Sequence, residues 1–203
     1  AEADAVLLEA VSWYTGVAGR VDYTQARALL EQAAEDEDPI SMMWMARVYS
    51  TGRMGFERDE VRARELASSV IEQVEAAALA GDSEAMLLMG TAFDEGLGRP
   101  HDPVQAFEWH LRAAEAGNVL GQHNTGNQYS KGRGVDENPV AAVAWWMQSS
   151  ERGDATTQLR LGEADAAGRG VKANLDEAVR RYHLAASRAH ASALDALDRL
   201  RAH

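Results

Sequence analysis

The sequence predicts an all-α chain built from stacked pairs of helices. Three observations carry that prediction. Glycines recur at a step of 36 in four series: Gly90, Gly126 and Gly162; Gly96, Gly132 and Gly168; Gly98, Gly134 and Gly170; Gly81, Gly117 and Gly153. Ala106, Ala142 and Ala178 keep the same step, as do Trp109 and Trp145, and His110, Trp146 and Tyr182. Only 4 Pro and 3 Phe occur in 203 residues, and β-branched runs are few. Such a composition favours helices, and a fixed period of roughly 20–50 residues marks a repeat array.

Each element follows in turn. The first unit, about residues 1–37, holds Ala10, Trp13 and Gly16, one step before Ala46, Tyr49 and Gly52 of the second unit, 38–81. From Gly52 to Gly96 the step is 44. The eight extra residues are expected in the helix around Arg62–Ala80, which is rich in Ala and Glu and free of Gly and Pro. In the third unit, 82–117, Ala85, Met89, Gly90 and Phe93 form an apolar stripe at helical spacing. Gly96 follows where a left-handed residue closes a helix without steric cost.

Its second helix opens at Asp102-Pro103, a side-chain cap followed by Pro at the first helical position. The fourth unit, 118–153, repeats this at Asn138-Pro139. The fifth, 154–190, keeps the cap as Asn174 and adds Asp176 and Glu177, anions suited to a helix N-terminus. Ala106, Phe107, Trp109, His110, Ala113 and Ala114 supply the apolar face of the second helix in the third unit. Residues 191–202 read as a closing helix with Leu194, Leu197 and Leu200 inward and Asp195, Asp198 and Arg199 outward. The whole of 1–203 reads as one domain.

Gly90, Gly126 and Gly162 fall inside helices, where Gly costs about 0.5–1 kcal/mol relative to Ala. The expected compensation is close approach of a neighbouring helix whose ring fills the space.

Composition excludes several functions. With 20 basic and 32 acidic side chains the net charge is −12, the wrong sign for a nucleic-acid partner. The charge is uneven: −9 over residues 1–82, −5 over 83–154 and +2 over 155–203. Zero Cys removes disulfides, thiolate metal sites, a Cys nucleophile and dithiol redox chemistry. No apolar run approaches the roughly 18 residues that span a bilayer, so no membrane insertion is expected. No Gly-x-Ser-x-Gly elbow, phosphate loop or His-Glu-x-x-His helix occurs. No two of the six His stand three or four residues apart, as a helical metal site would require. His110 takes the place of Trp146 and Tyr182 and reads as packing. Neither a cofactor nor a catalytic set is expected. Glu35-Asp36-Glu37-Asp38 reads as a solvated loop or as one rim of an acidic surface that attracts a basic partner.

The series Ala85-x3-Met89-Gly90-x2-Phe93-x2-Gly96-x-Gly98, Asp102-x3-Ala106-x2-Trp109 and Ala113-Ala114-x2-Gly117 resembles the Sel-one-like repeat, a relative of the tetratricopeptide repeat. The copy with Gly126, Tyr129, Gly132, Gly134-Val135, Asn138, Ala142 and Trp145-Trp146 is similar to it as well. Other copies depart from the pattern: Ala10 and Ala46 replace the helix glycine, Asp165 the aromatic and Ala189 the closing glycine. The resemblance implies a right-handed α/α superhelix of about five helix pairs, each stable only when stacked on its neighbour.

Tetratricopeptide-like geometry turns the first helix of each pair towards the concave side. The groove positions it implies are Met43, Trp44, Arg47 and Ser50; Leu87, Leu88, Thr91 and Asp94; His123, Asn124, Asn127 and Ser130; and Leu159, Arg160, Glu163 and Ala166. Such a mixed lining suits protein recognition. Trp44 reads either as its anchor or as an ordinary core aromatic. The resemblance further implies a non-catalytic bacterial binding module, an adaptor or an immunity protein that masks a toxic effector, whose protein partner would present a basic surface. It places the chain as soluble, in the periplasm before the cytoplasm. Two alternatives stay open: a hydrolase of the cysteine-rich repeat type, and a structural segment of a larger envelope or signalling protein.

Overall fold

A computed structural model describes residues 2–201, with side chains over 5–200. Residues 1 and 202, which the expected first unit and closing helix include, lie outside the described residues, as does residue 203. Eleven α-helices and no strand make up the described chain. They are α1 (Glu2–Thr15), α2 (Tyr23–Ala33), α3 (Pro39–Thr51), α4 (Glu60–Leu79), α5 (Ser83–Glu95), α6 (Pro103–Glu115), α7 (Val119–Lys131), α8 (Pro139–Glu151), α9 (Ala155–Ala167), α10 (Leu175–Ser187) and α11 (Ala191–Arg201). Each helix packs on the next, giving five antiparallel pairs and a closing helix in a solenoid. Of the eight extra residues, seven lengthen α4, which has 20 residues against 13 in α6, and one lies in the connection before it.

Local chemistry sets the helix ends. Asp102, Asn138 and Asn174 each accept from a backbone N–H in the first turn of α6, α8 and α10. Gly52, Gly96, Gly132 and Gly168 end the first helices in the left-handed conformation. The three helical glycines explain themselves in space. A Cβ on Gly90, Gly126 or Gly162 would fall within the ring of His110, Trp146 or Tyr182 respectively. Those rings hold equivalent places, so each of the last three pairs closes by seating a ring on bare backbone. Alanine there, ordinarily a better helix former, would force the pair apart.

Other expectations need correction. In α11 the buried stripe is Ala193, Ala196 and Leu197, packed on Ala178, Tyr182 and Ala185 of α10. Leu194 is 61% exposed. Small alanines allow the two helices a close approach, which rotates Leu194 out. Of the adjacent tryptophans, Trp146 is buried and Trp145 only half-buried. Asp165, in the place of Tyr129, makes a 2.7 Å ion pair with Arg181, in the place of Trp145. The last pair thus holds an ion pair at positions where the preceding pair holds two aromatic residues.

One feature has no counterpart in the periodicity: the first unit meets the last. The Val21 N–H donates to the Arg188 carbonyl at 2.8 Å, and Arg188 Nη1 donates to the Gly16 carbonyl at 2.8 Å. Ala155 would lie 3.3 Å from a Cβ on Gly16. Meanwhile α1 sets Val6, Val11, Trp13 and Tyr14 against the core that contains Met43, Trp44, Leu87 and Leu88. The described chain therefore closes on itself around its inner wall.

Candidate recognition cavity

Closure leaves a polar cavity of about 250 Å³ on the inner side. The α1–α2 segment gives it Tyr14, Thr15 and Tyr23; α3 and the turn after it give Arg47 and Arg53; α7 gives Leu120, His123, Asn124 and Asn127; the start of α9 gives Asp154 and Thr156.

Of the expected groove residues, the structure brings together Arg47, His123, Asn124 and Asn127 here. Asp94 lines an adjoining cavity that shares Asn124 and Asn127, and it pairs with Arg133 at 2.5 Å. Arg160 and Glu163 pair with each other at 2.9 Å beside Trp146, in a separate cavity between α8 and α9. Met43, Trp44, Leu87 and Leu88 are fully buried and Thr91 nearly so, and none can meet a partner. The reason is α1: its apolar side chains cover the inner face of α3 and α5, where these residues are apolar, and leave α7, where the register holds His123 and Asn124. Trp44 is thus a core aromatic. Its Nε1–H donates to Glu84 at 2.7 Å, and Glu84 in turn accepts from Asn118 at 2.7 Å, linking three units. Burial pushes the Glu84 carboxyl up, against those two hydrogen bonds.

Polar groups around the cavity are mostly committed. His123 Nδ1–H donates to Asp154 at 3.0 Å, and Ser149 donates to the same carboxylate oxygen at 2.9 Å. Burial alone would push the Asp154 carboxyl up, yet His123, Ser149 and the Thr156 amide hold it below its ordinary value. His110 Nδ1–H donates to Gln128, and Asn124 donates to His110 Nε2. Burial drives His110 down to about 3, so it stands neutral over Gly90. Asn127 accepts from Trp146 Nε1 at 3.2 Å. Arg53 pairs with Glu95 at 2.7 Å. Among the described residues no three of His, Asp and Glu converge as a metal site would require. Sequence reasoning missed Tyr14, Thr15, Tyr23, Arg53, Asp154 and Thr156 as lining residues. Only Asp154 carried a signal, as the residue that follows Gly153 at a helix start.

Five copies of the Sel1 repeat match this sequence, at residues 8–38, 39–73, 83–118, 119–154 and 155–190. The chain belongs to the Sel1 repeat family. No curated protein matches it by sequence. Among solved structures it is similar to a protective antigen present in uropathogenic Escherichia coli strains that displays an SLR fold. Identity is 25% and the TM-score 0.62, over 96% of this chain and 48% of that one. It spans about half the length of that antigen. It is also similar to a Sel1 repeat protein from Oxalobacter formigenes, at 25% identity and TM-score 0.61, over 96% of this chain and 74% of that one. An immunity protein from Pseudomonas aeruginosa shares the fold at 21% identity and TM-score 0.53, over 95% and 68%.

Sel1 repeats are a protein-interaction type of module, and the inner cavity of this array is lined by His123, Asn124 and Asn127 of α7 with Asp154 and Thr156 at the start of α9. No described helix is long and apolar enough to cross a membrane. Glu35, Asp36 and Glu37 are exposed, while Asp38 caps α3 by accepting from the Ser41 N–H at 2.9 Å.

Proposed function

We propose that this Sel1 repeat chain is a non-catalytic protein-binding module, an adaptor or an effector-neutralising immunity protein, that engages its partner at the mouth of the inner cavity. One observation carries the reading: closure of the array leaves His123, Asn124, Asn127 and Thr156 partly accessible around a concave polar opening, while the flanking apolar positions are sealed. The partner's matching surface is basic, because the first 82 residues hold an excess of nine acidic side chains, and Glu57, Glu60, Glu65 and Glu72 stand exposed among them. The immunity form draws on the designation of the Pseudomonas protein, whose likeness to this chain is one of fold.

The test is complex formation with the products of adjacent genes. A stoichiometric complex is expected with one of them. Asn127→Arg is expected to weaken it at least tenfold. Val140→Arg, on the second helix of the same unit where Val140 is 66% exposed, should leave it unchanged. Circular dichroism should show both variants helical. A complex that survives Asn127→Arg and fails with Val140→Arg would place recognition on the outer helices and overturn the reading.

A further inference from the structure

Among the described residues the cavity contains one buried guanidinium with no carboxylate in ion-pair contact and no hydrogen-bond partner, the Glu84 and Glu95 carboxylates acting on it only from a distance. Arg47 is 4% exposed, and its guanidinium lies 4.4 Å from the Trp44 ring centre. Its Nε and Nη1 are buried without a hydrogen-bond partner. Arg53 is paired with Glu95, and the Asp154 carboxylate accepts hydrogen bonds from His123 and Ser149. Buried ionic groups are normally paired, because desolvating an unpaired charge is costly. The register makes the exception specific: the positions equivalent to Arg47 hold Thr91, Asn127 and Glu163, so only this unit places an arginine at that position.

The surroundings define what could balance it. A guanidinium presents a planar fork that fits a carboxylate with two parallel hydrogen bonds. Asn127 spends its amide oxygen on Trp146, which leaves its Nδ2 as a donor at the same cavity. Tyr14 and Tyr23 also line the cavity. A single unmatched cation, with the Asp154 carboxylate in the same lining, balances one negative charge and repels a second. That selects a carboxylate over a phosphate dianion. We infer that the cavity is a carboxylate-binding site, with Arg47 as the gripping residue and Asn127 as a second donor. The carboxylate is supplied either by a chain terminus or by a small organic acid. This deepens the reading of the cavity as the recognition site, and rests on it only for location.

The probes are Ala-Ala-Ala with a free carboxylate, the same peptide as its C-terminal amide, propionate and inorganic phosphate. They are titrated into the intact chain by calorimetry and by NMR shifts of the Asn127 side-chain amide. Saturable binding of the free-acid peptide is expected, with the amide at least tenfold weaker and phosphate without effect. Propionate binding as tightly as the peptide assigns the site to small organic acids; propionate much weaker assigns it to chain termini. Arg47→Met is expected to lose binding at least tenfold while melting no lower than the parent, since it removes an unpaired buried charge. Arg112→Met, at an exposed arginine on α6 that stacks on Trp109, should bind as the parent does. Equal binding of acid and amide, competition by phosphate, or no binding of any carboxylate overturns the inference. If carboxylates fail while Asn127→Arg still releases a protein partner, the binding-module reading stands and this inference alone falls.

Discussion

Trp44→Ala is expected to lower stability by about 3–5 kcal/mol from lost burial and the cavity left behind. Unpairing the Glu84 carboxylate adds to that by about 1–3 kcal/mol. Trp44 is the largest fully buried side chain of the described core. It contacts Tyr14 edge-on with ring centres 6.3 Å apart, carries the Arg47 guanidinium and bonds to Glu84. One substitution thus loosens α1, α3 and α5 together. Domains of this kind have total stabilities of about 5–15 kcal/mol, so the variant should be partly unfolded at physiological temperature. Trp44→Phe keeps most of the volume and loses the hydrogen bond, and should cost roughly half as much. Urea denaturation followed at 222 nm measures both. A loss below about 1 kcal/mol for the alanine variant would mean that α1 does not cover this residue.

Acid is expected to destabilise the fold well above the range in which carboxylates protonate. His110 is held down to about 3, against about 6.5 in an unfolded chain. Between those values the unfolded state binds a proton that the folded state does not. Stability is therefore full above about pH 6.5 and falls as the pH drops, by about 1.4 kcal/mol per unit, until the folded histidine itself protonates near pH 3. At pH 4.5 the loss should be about 2–3 kcal/mol. His190, held down by burial, acts in the same direction. Asp154, held below its ordinary value, adds a loss only in stronger acid, below about pH 4. The contribution of His110 is isolated by His110→Phe, which keeps a ring over Gly90. This variant should start less stable at pH 7, because Gln128 and Asn124 lose a partner, but its melting temperature should fall far less between pH 7 and pH 4.5. Parallel curves for parent and variant would refute the assignment.

The fold was legible because glycine is informative twice over. Gly96 and its equivalents mark left-handed helix ends in every unit, and Gly90, Gly126 and Gly162 mark where a ring sits on backbone in the last three, Ala10 and Ala46 holding that place in the first two. The site was legible only in part. Periodicity encodes what each unit does to its neighbour, and it put Arg47, His123, Asn124 and Asn127 on first helices in the expected groove register; in the structure these four line one cavity. It does not encode contacts between the first and last units, such as Val21 with Arg188, so the cover that α1 provides was invisible. The same register therefore holds fully buried Met43 and Trp44 in one unit and partly accessible His123 and Asn124 two units later. Leu194 misled for a simpler reason: hydrophobicity alone put it inward, whereas Ala193 and Ala196 permit the closer approach.

Recognition at the inner wall is tested most directly by thiol labelling, since the chain contains no cysteine of its own. Single substitutions Asn127→Cys and Val140→Cys place one reactive group at the cavity and one on the exposed face of α8. Addition of a bound partner should slow modification of the first at least tenfold and leave the second at its free rate. Protection at position 140 with position 127 still reacting freely would show that the outer helices, and not the enclosed wall, carry the contact.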